Sequence, residues 1–260
     1  MAISRHQLVK ELEPGLNALF GLEYNRYDNQ HAEIYTSESS DRAFEEEVML
    51  SGFGNASVKS EGSGVAFDNA QESYSARYTH ETVALAFAIT EEAIEDNLYD
   101  RISSRYTKAL ARSMSNTKQV KAAAPLNNGL PSVDGFDSGD GVSLFNTSHT
   151  TVSGTSVKNT LTTQADLNET SLEQAMIDIA AMTDERGLRI AAKAVKMIVP
   201  SANQFQAERL MKSQGRVGTA DNDINALGSM GMIPQGYRVN NFLTDTDSFY
   251  IITDVPNGMK

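Results

Sequence analysis

A glycine-rich stretch of the chain, GFGNASVKSEGSG at residues 52–64, carries a single lysine, and glycines around a lysine are the raw material of a phosphate-binding loop. Such a loop needs glycine directly before the lysine and a helix directly after it, so that backbone amides face the phosphate. Lys59 follows Val58 instead, and the residues beyond read as strand. The stretch is therefore expected to bend: Gly52, Gly54, Gly62 and Gly64, with Lys59 and Glu61 between them, suit the tip of a hairpin. Four histidines, His6, His31, His80 and His149, lie far apart without metal-ligand spacing. Ser148-His149 pairs a nucleophile type with a base type, yet no Gly-x-Ser-x-Gly elbow exists, and adjacent residues seldom face each other. Asp134, Asp137 and Asp140, and again Asp245 and Asp247, miss the spacing of a calcium loop and suit turns. A basic stripe of Arg101, Arg105, Lys108 and Arg112 could meet nucleic acid, but it suits a helix dipole and a neighbouring subunit better. No catalytic, cofactor-binding or metal constellation is expected.

Composition agrees. With 34 acidic against 22 basic side chains the 260-residue chain carries a net charge of −12, the opposite of a protein built to grip DNA. An acidic wall around DNA remains allowed, since it repels its content. No apolar run is long enough for a membrane span, and the charged N-terminus makes secretion unexpected. The absence of cysteine fits a reducing cytoplasm.

The elements around these residues follow from periodicity. A short helix with Leu8, Leu12 and Leu16 should open the chain and be interrupted at Pro14-Gly15. Residues 24–47 read as an extended polar arm that needs a partner surface. Tyr74, Ala76 and Tyr78 alternate as a strand, as do Val83, Leu85, Phe87 and Ile89 with opposite parity, which predicts a bulge within 79–82. Val58 and Val65 to Phe67 complete a long hairpin. Thr90 should cap a long helix with an apolar stripe of Ile94, Leu98, Ile102, Tyr106, Ala109 and Leu110, acidic near its start at Glu91, Glu92, Glu95 and Asp96, and stopped by Pro125. Loops are expected over 125–160, a helix capped by Ser171, a buried strand at VKMIVP, a helix capped by Ser201, a loop over 215–231, and strands near 237–243 and 248–253. Extended arms bury little within their own chain and gain stability on other copies, which is the logic of a shell.

Whole segments, in order, resemble the major capsid proteins of tailed phages with the Hong Kong 97-type fold, near the branch of the Mu-type major head subunit. They are ARYTHETVALAFAITEEAIEDNLYDRISSRYTKALARSMSNTKQVKAA (76–123), LFNTSHT (144–150), LNETSLEQAMIDIAAMTDERGLRI (167–190), KMIVPSANQFQAERLM (196–211) and RVNNFLTDTDSFYIITDVPNG (238–258). The resemblance implies an α+β fold with an N-terminal arm (1–40), an E-loop with flanking strands (41–82), a peripheral domain with a spine helix (83–124) and an axial domain (125–260). Relatives continue past the TDVPNG stretch into a segment that closes the peripheral domain, here expected to be missing. It implies subunit contacts through the E-loop tip at Gly52, Gly54, Lys59, Glu61, Gly62 and Gly64, and through the spine helix at Glu92, Asp96, Arg101, Arg105, Lys108 and Arg112. The implied function is non-enzymatic self-assembly into hexamers and pentamers of an icosahedral head around double-stranded DNA, which is packaged without specific binding. Scaffold, portal, maturation protease and decoration proteins are the implied partners, with no cofactor and no membrane, in a virion assembled in the bacterial cytoplasm. Some members crosslink an E-loop lysine to a neighbour's asparagine; Lys59 lies in that loop, though most relatives lack the chemistry. The rival readings are an encapsulin-like compartment and a cytosolic hydrolase using His149.

Overall fold

The computed structural model describes residues 5–88, 90, 99–131, 133, 135–216, 223–256, 258 and 259. Two compact units divide them, one from Met1–His31 with His80–Ala122, the other from Ala32–Thr79 with Ala123–Lys260.

In the first unit, α1 (Arg5–Tyr24) continues through Pro14, against the expected interruption. A proline deprives the ladder of one N–H, and the bonds on either side carry the helix past it. The second helix, α2 (Tyr99–Asn127), likewise contains Pro125, which removes the bond to Lys121 only two residues before the helix ends. Thr90 is described without its helix start; Glu91, Glu92, Ile94, Glu95, Asp96 and Leu98 lie outside the described residues.

The buried side of α2 is not the expected apolar stripe. Ser103, Thr107, Ala111, Ser115 and Gln119, spaced four apart, are nearly inaccessible, whereas Tyr106 is 55% exposed. Small side chains at this spacing permit close packing, and the hydroxyl is satisfied locally, since Thr107 Oγ1 donates to the Ser103 carbonyl at 2.8 Å. Gln119 closes the seam by donating to the Asp28 carbonyl (3.2 Å) and accepting from the His31 amide (3.1 Å). Val83, Leu85 and Phe87 form no strand and are partly exposed, although the Phe87 ring lies 5.9 Å from that of Tyr106. The predicted bulge at 79–82 is absent because the strand ends at Thr79; Ile89 lies outside the described residues.

The second unit holds an antiparallel ribbon, β1 (Phe44–Leu50) with β2 (Glu72–Thr79), a short antiparallel pair inside the expected 125–160 loop, β3 (His149–Thr150) with β4 (Ser156–Val157), and the main core. β5 (Ala194–Val199) is the middle of a three-stranded sheet, parallel to β6 (Tyr237–Val239) and antiparallel to β7 (Tyr250–Thr253). Its alternate residues feed two cores, as a strand covered on both faces requires. Met197 and Val199 join Leu172, Met176, Ile179, Leu210, Leu227 and Ile233. Ile198 joins Leu126 and Leu243, with Ile34, Phe145, Tyr250 and Ile252 around them.

Helix α3 (Glu169–Ala180) begins three residues earlier than expected. Asn168 is the cap: its side chain accepts from the Ser171 amide (2.8 Å) while Ser171 Oγ accepts from the Asn168 amide (3.0 Å). Ser201 caps nothing; it opens a 3-10 turn, Ser201–Asn203, that leads into α4 (Gln204–Lys212). The expected loop over 215–231 contains a short helix, α5 (Ala226–Met230), capped by Asn225. Asn225 is buried because its amide also donates to the Leu210 (2.7 Å) and Ser213 (3.0 Å) carbonyls.

The arm expected over 24–47 is partly seated on its own chain. Glu33 binds Lys196 at 2.9 Å and Arg238 at 3.5 Å, Ile34 packs into the second core, and the Thr36 amide donates to the Met259 carbonyl at 3.1 Å. The hydrogen bond from Lys196 is the chief reason the Glu33 carboxyl is held below its ordinary range; burial opposes it, and the charges of Lys196 and Arg238 add to it. A carboxyl lowered on folding stabilises the seat above the ordinary glutamate range and stops doing so as pH falls through its depressed value. Hydrogen exchange at the Thr36 amide, corrected for intrinsic rate, is thus expected to accelerate on acidification in the native chain and to be fast and flat with pH in Glu33→Gln.

Candidate assembly surface

A two-stranded ribbon, β1 (Phe44–Leu50) against β2 (Glu72–Thr79), pairs antiparallel from Phe44 opposite Thr79 to Leu50 opposite Glu72, with an irregularity between Val48 and Leu50. Strand period two places Phe44, Glu46, Val48 and Leu50 on one face, with Arg77 across from Glu46. That face is open: Val48 is 51% and Leu50 67% exposed. Arg77 bridges it, 2.8 Å from Glu46 and 4.4 Å over the Phe44 ring, so the polar groups pair and the apolar ones do not.

Between the strands, Val58 and Val65 to Phe67 are not strands. The loop turns at Ser60–Ser63, where Gly62 has φ +80°, the left-handed backbone that favours glycine. Val58 and Phe67 are each 97% exposed. Lys59 and Glu61 sit on this tip, exposed and without an ion pair among the described residues. Gly52 and Gly54 lie at its base; Gly64 follows the turn.

At the hairpin root, Tyr74 packs over Gly139 so closely that an added Cβ would stand 2.1 Å from the ring. Burial raises the Tyr74 hydroxyl, and the Glu185 and Asp140 carboxylates add to it. Gly139→Ala is therefore expected to cost about 1–3 kcal/mol in denaturant unfolding. Adding Tyr74→Ala to that variant should recover part of the loss, which a double-mutant cycle would read.

The basic stripe of α2 is present in part. Arg105, Lys108 and Arg112 are exposed and form no ion pair among the described residues. Arg101 lies in the first turn of the helix, and Glu92 and Asp96 lie outside the described residues.

The residues that could have suggested catalysis are occupied otherwise. His149 Nδ1 faces Asp140 Oδ2 at 2.9 Å and its Nε2 faces Asn159 Oδ1 at 3.2 Å, while Ser148 Oγ bonds Ser156 Oγ at 2.8 Å. A histidine with both nitrogens engaged by side-chain oxygens staples a loop, and its neighbouring serine points elsewhere. Burial pushes the Asp140 carboxyl up, but the hydrogen bonds from His149 and the Val142 amide outweigh it and hold the group low. Asp245 and Asp247 form a turn, with the Asp247 amide directed at Asp245 Oδ1 and the Asp245 carboxyl raised first by its hydrogen bond with Asp247. Asp137 bridges to Ser143, and Asp134 lies outside the described residues. No group of three potential metal ligands occurs among the described residues, and none of their helices is long and apolar enough to cross a membrane. A half-open cavity of about 420 Å³ has an apolar wall including Leu126, Phe145, Ile198 and Tyr250 and carboxylates at Asp166, Asp178, Asp245 and Asp247.

Comparison with known proteins places this architecture. A family model described as phage capsid protein matches residues 73–259. No match was found among curated proteins. Among solved structures, a chain from the procapsid of bacteriophage JBD30 superposes with a TM-score of 0.59 at 13% identity, over 93% of this chain and 100% of that one. The mixed α+β fold is thus that of a phage procapsid subunit, and the compartment and hydrolase readings are not favoured. With the family model spanning most of the sequence, the chain belongs to the phage capsid protein family, which points to a structural, non-enzymatic protein.

Proposed function

We propose that the chain is the self-assembling subunit of an icosahedral phage head, arranged as hexamers and pentamers around double-stranded DNA, with residues 41–82 as the E-loop laid on a neighbouring copy. The observation that carries this reading is the open apolar face of the β1–β2 ribbon, continued by Val58 and Phe67. A two-stranded ribbon is marginal in water and needs a covering surface. In a shell that surface is another copy. Helix α2 serves as the spine of a peripheral domain over 83–124, and its exposed cations Arg105, Lys108 and Arg112, without an ion pair among the described residues, face a subunit contact. Residues 125–260 form the axial domain and 1–40 the arm. Scaffold, portal, maturation protease and decoration proteins meet the shell in the host cytoplasm. With 34 acidic against 22 basic side chains, the wall holds DNA without binding it tightly.

Negative-stain microscopy and sedimentation of the purified chain test the reading. Closed particles or capsomer rings are expected; a species that stays a small monomer at every concentration and salt would refute it.

A further inference from the structure

Residues 52–70 leave the ribbon through a collar. The Ser51 amide donates to the Gln71 carbonyl at 2.8 Å, and the Gln71 amide to Ser51 Oγ at 2.9 Å, with Ser51 buried. Beyond that collar, among the described residues, one side-chain bond ties the loop to the rest of its unit: Arg186 Nη2 donates to Asp68 Oδ1 at 2.7 Å. The same carboxylate accepts the Gly54 amide on Oδ2 at 2.7 Å and the Asn69 amide on Oδ1 at 2.9 Å. Asp68 therefore joins the two limbs of the loop and hands both to Arg186.

The Arg186 side is a fixed platform. The turn around it is closed by a bridge between Thr183 and Arg189, and Asp184 Oδ1 accepts the amides of Arg186 (2.9 Å) and Leu188 (2.7 Å). Glu185 anchors the turn to the adjacent loop, its side chain accepting the Val152 amide and its carbonyl the Ser153 hydroxyl, each at 3.0 Å. One partner is rigid and the other rides on a long exposed loop. A single half-exposed ion pair is weak and yields to salt or a competing charged surface.

We infer that Asp68–Arg186 is a releasable clasp. It holds the loop on its own chain in the free subunit, and opening it lets the loop pivot about the Ser51–Gln71 collar towards another copy. The second step rests on the shell reading above; the clasp itself does not.

The chain has no cysteine, so paired labels can be placed without background. Ala66→Cys with Ile177→Cys, both at exposed positions, would carry nitroxides on the unassembled full chain diluted with unlabelled protein. Pulsed electron-electron resonance then reads the distance between loop and body. Arg186→Gln is expected to broaden the distribution at least twofold, as is high salt on the parent, while Asp68→Arg with Arg186→Asp should narrow it again. Asp68→Asn, which alters the loop side alone, should broaden it equally, and circular dichroism keeps each variant's fold in view. An Arg186→Gln or Asp68→Asn distribution that superimposes on the parent would overturn the clasp, as would a charge swap as broad as the single variants. Because no shell is needed, failure of assembly and failure of the clasp are read separately.

Discussion

A Val48→Glu, Leu50→Glu double variant is expected to stay a folded subunit and to form no particles. Both side chains are more than half exposed in the single chain, so charge there disturbs no core. In the proposed shell, where this face would lie against a neighbouring copy, two carboxylates enclosed without partners would cost several kcal/mol per subunit, about 2–5 each on the scale of unpaired buried charge. That penalty recurs in every copy. Circular dichroism and thermal melting should match the native chain while microscopy shows no particles. Normal particle yield from the variant would remove this face from the assembly surface.

The second large effect lies in the core of the second unit. Leu172 on α3 is 0% exposed and packs with Met197 and Val199 of β5, so Leu172→Ala should lose about 2–5 kcal/mol, the transfer of the side chain plus the cavity it leaves. Ile177, on the same helix but 61% exposed, is the internal control, and Ile177→Ala should shift stability by no more than about 0.5 kcal/mol. Equal losses at the two positions would mean that α3 does not bury the face described. Urea titration of both variants decides it.

Local pattern made part of this visible in the sequence. The VKMIVP strand is apolar on both sides because both of its faces are covered, and Tyr74, Ala76 and Tyr78 alternate because β2 is a ribbon strand. The glycine-rich tip was readable from composition, and family membership from whole segments in order. The buried seam of α2 was not readable, since Ser103, Thr107 and Ser115 look like a solvated face until the hydroxyl bonds are seen. Helix α5 was hidden in a polar glycine-containing stretch because one asparagine, Asn225, both caps it and ties it to α4. Prolines 14 and 125 overstated their breaking power near stretches otherwise able to hold a helix. Asp68 and Arg186 are 118 positions apart, and Tyr74 meets Gly139 only through the fold; no periodicity links residues so distant.

The central claim is that the exposed loop finds its support on a sister chain. Replacing Val58 with a photo-crosslinking benzoylphenylalanine and illuminating assembled particles tests it directly, because that position is 97% exposed in the single chain. Adducts joining two chains, mapped by mass spectrometry and absent from dilute unassembled subunits, are the predicted result. Particles that form normally yet give only adducts within one chain would contradict it.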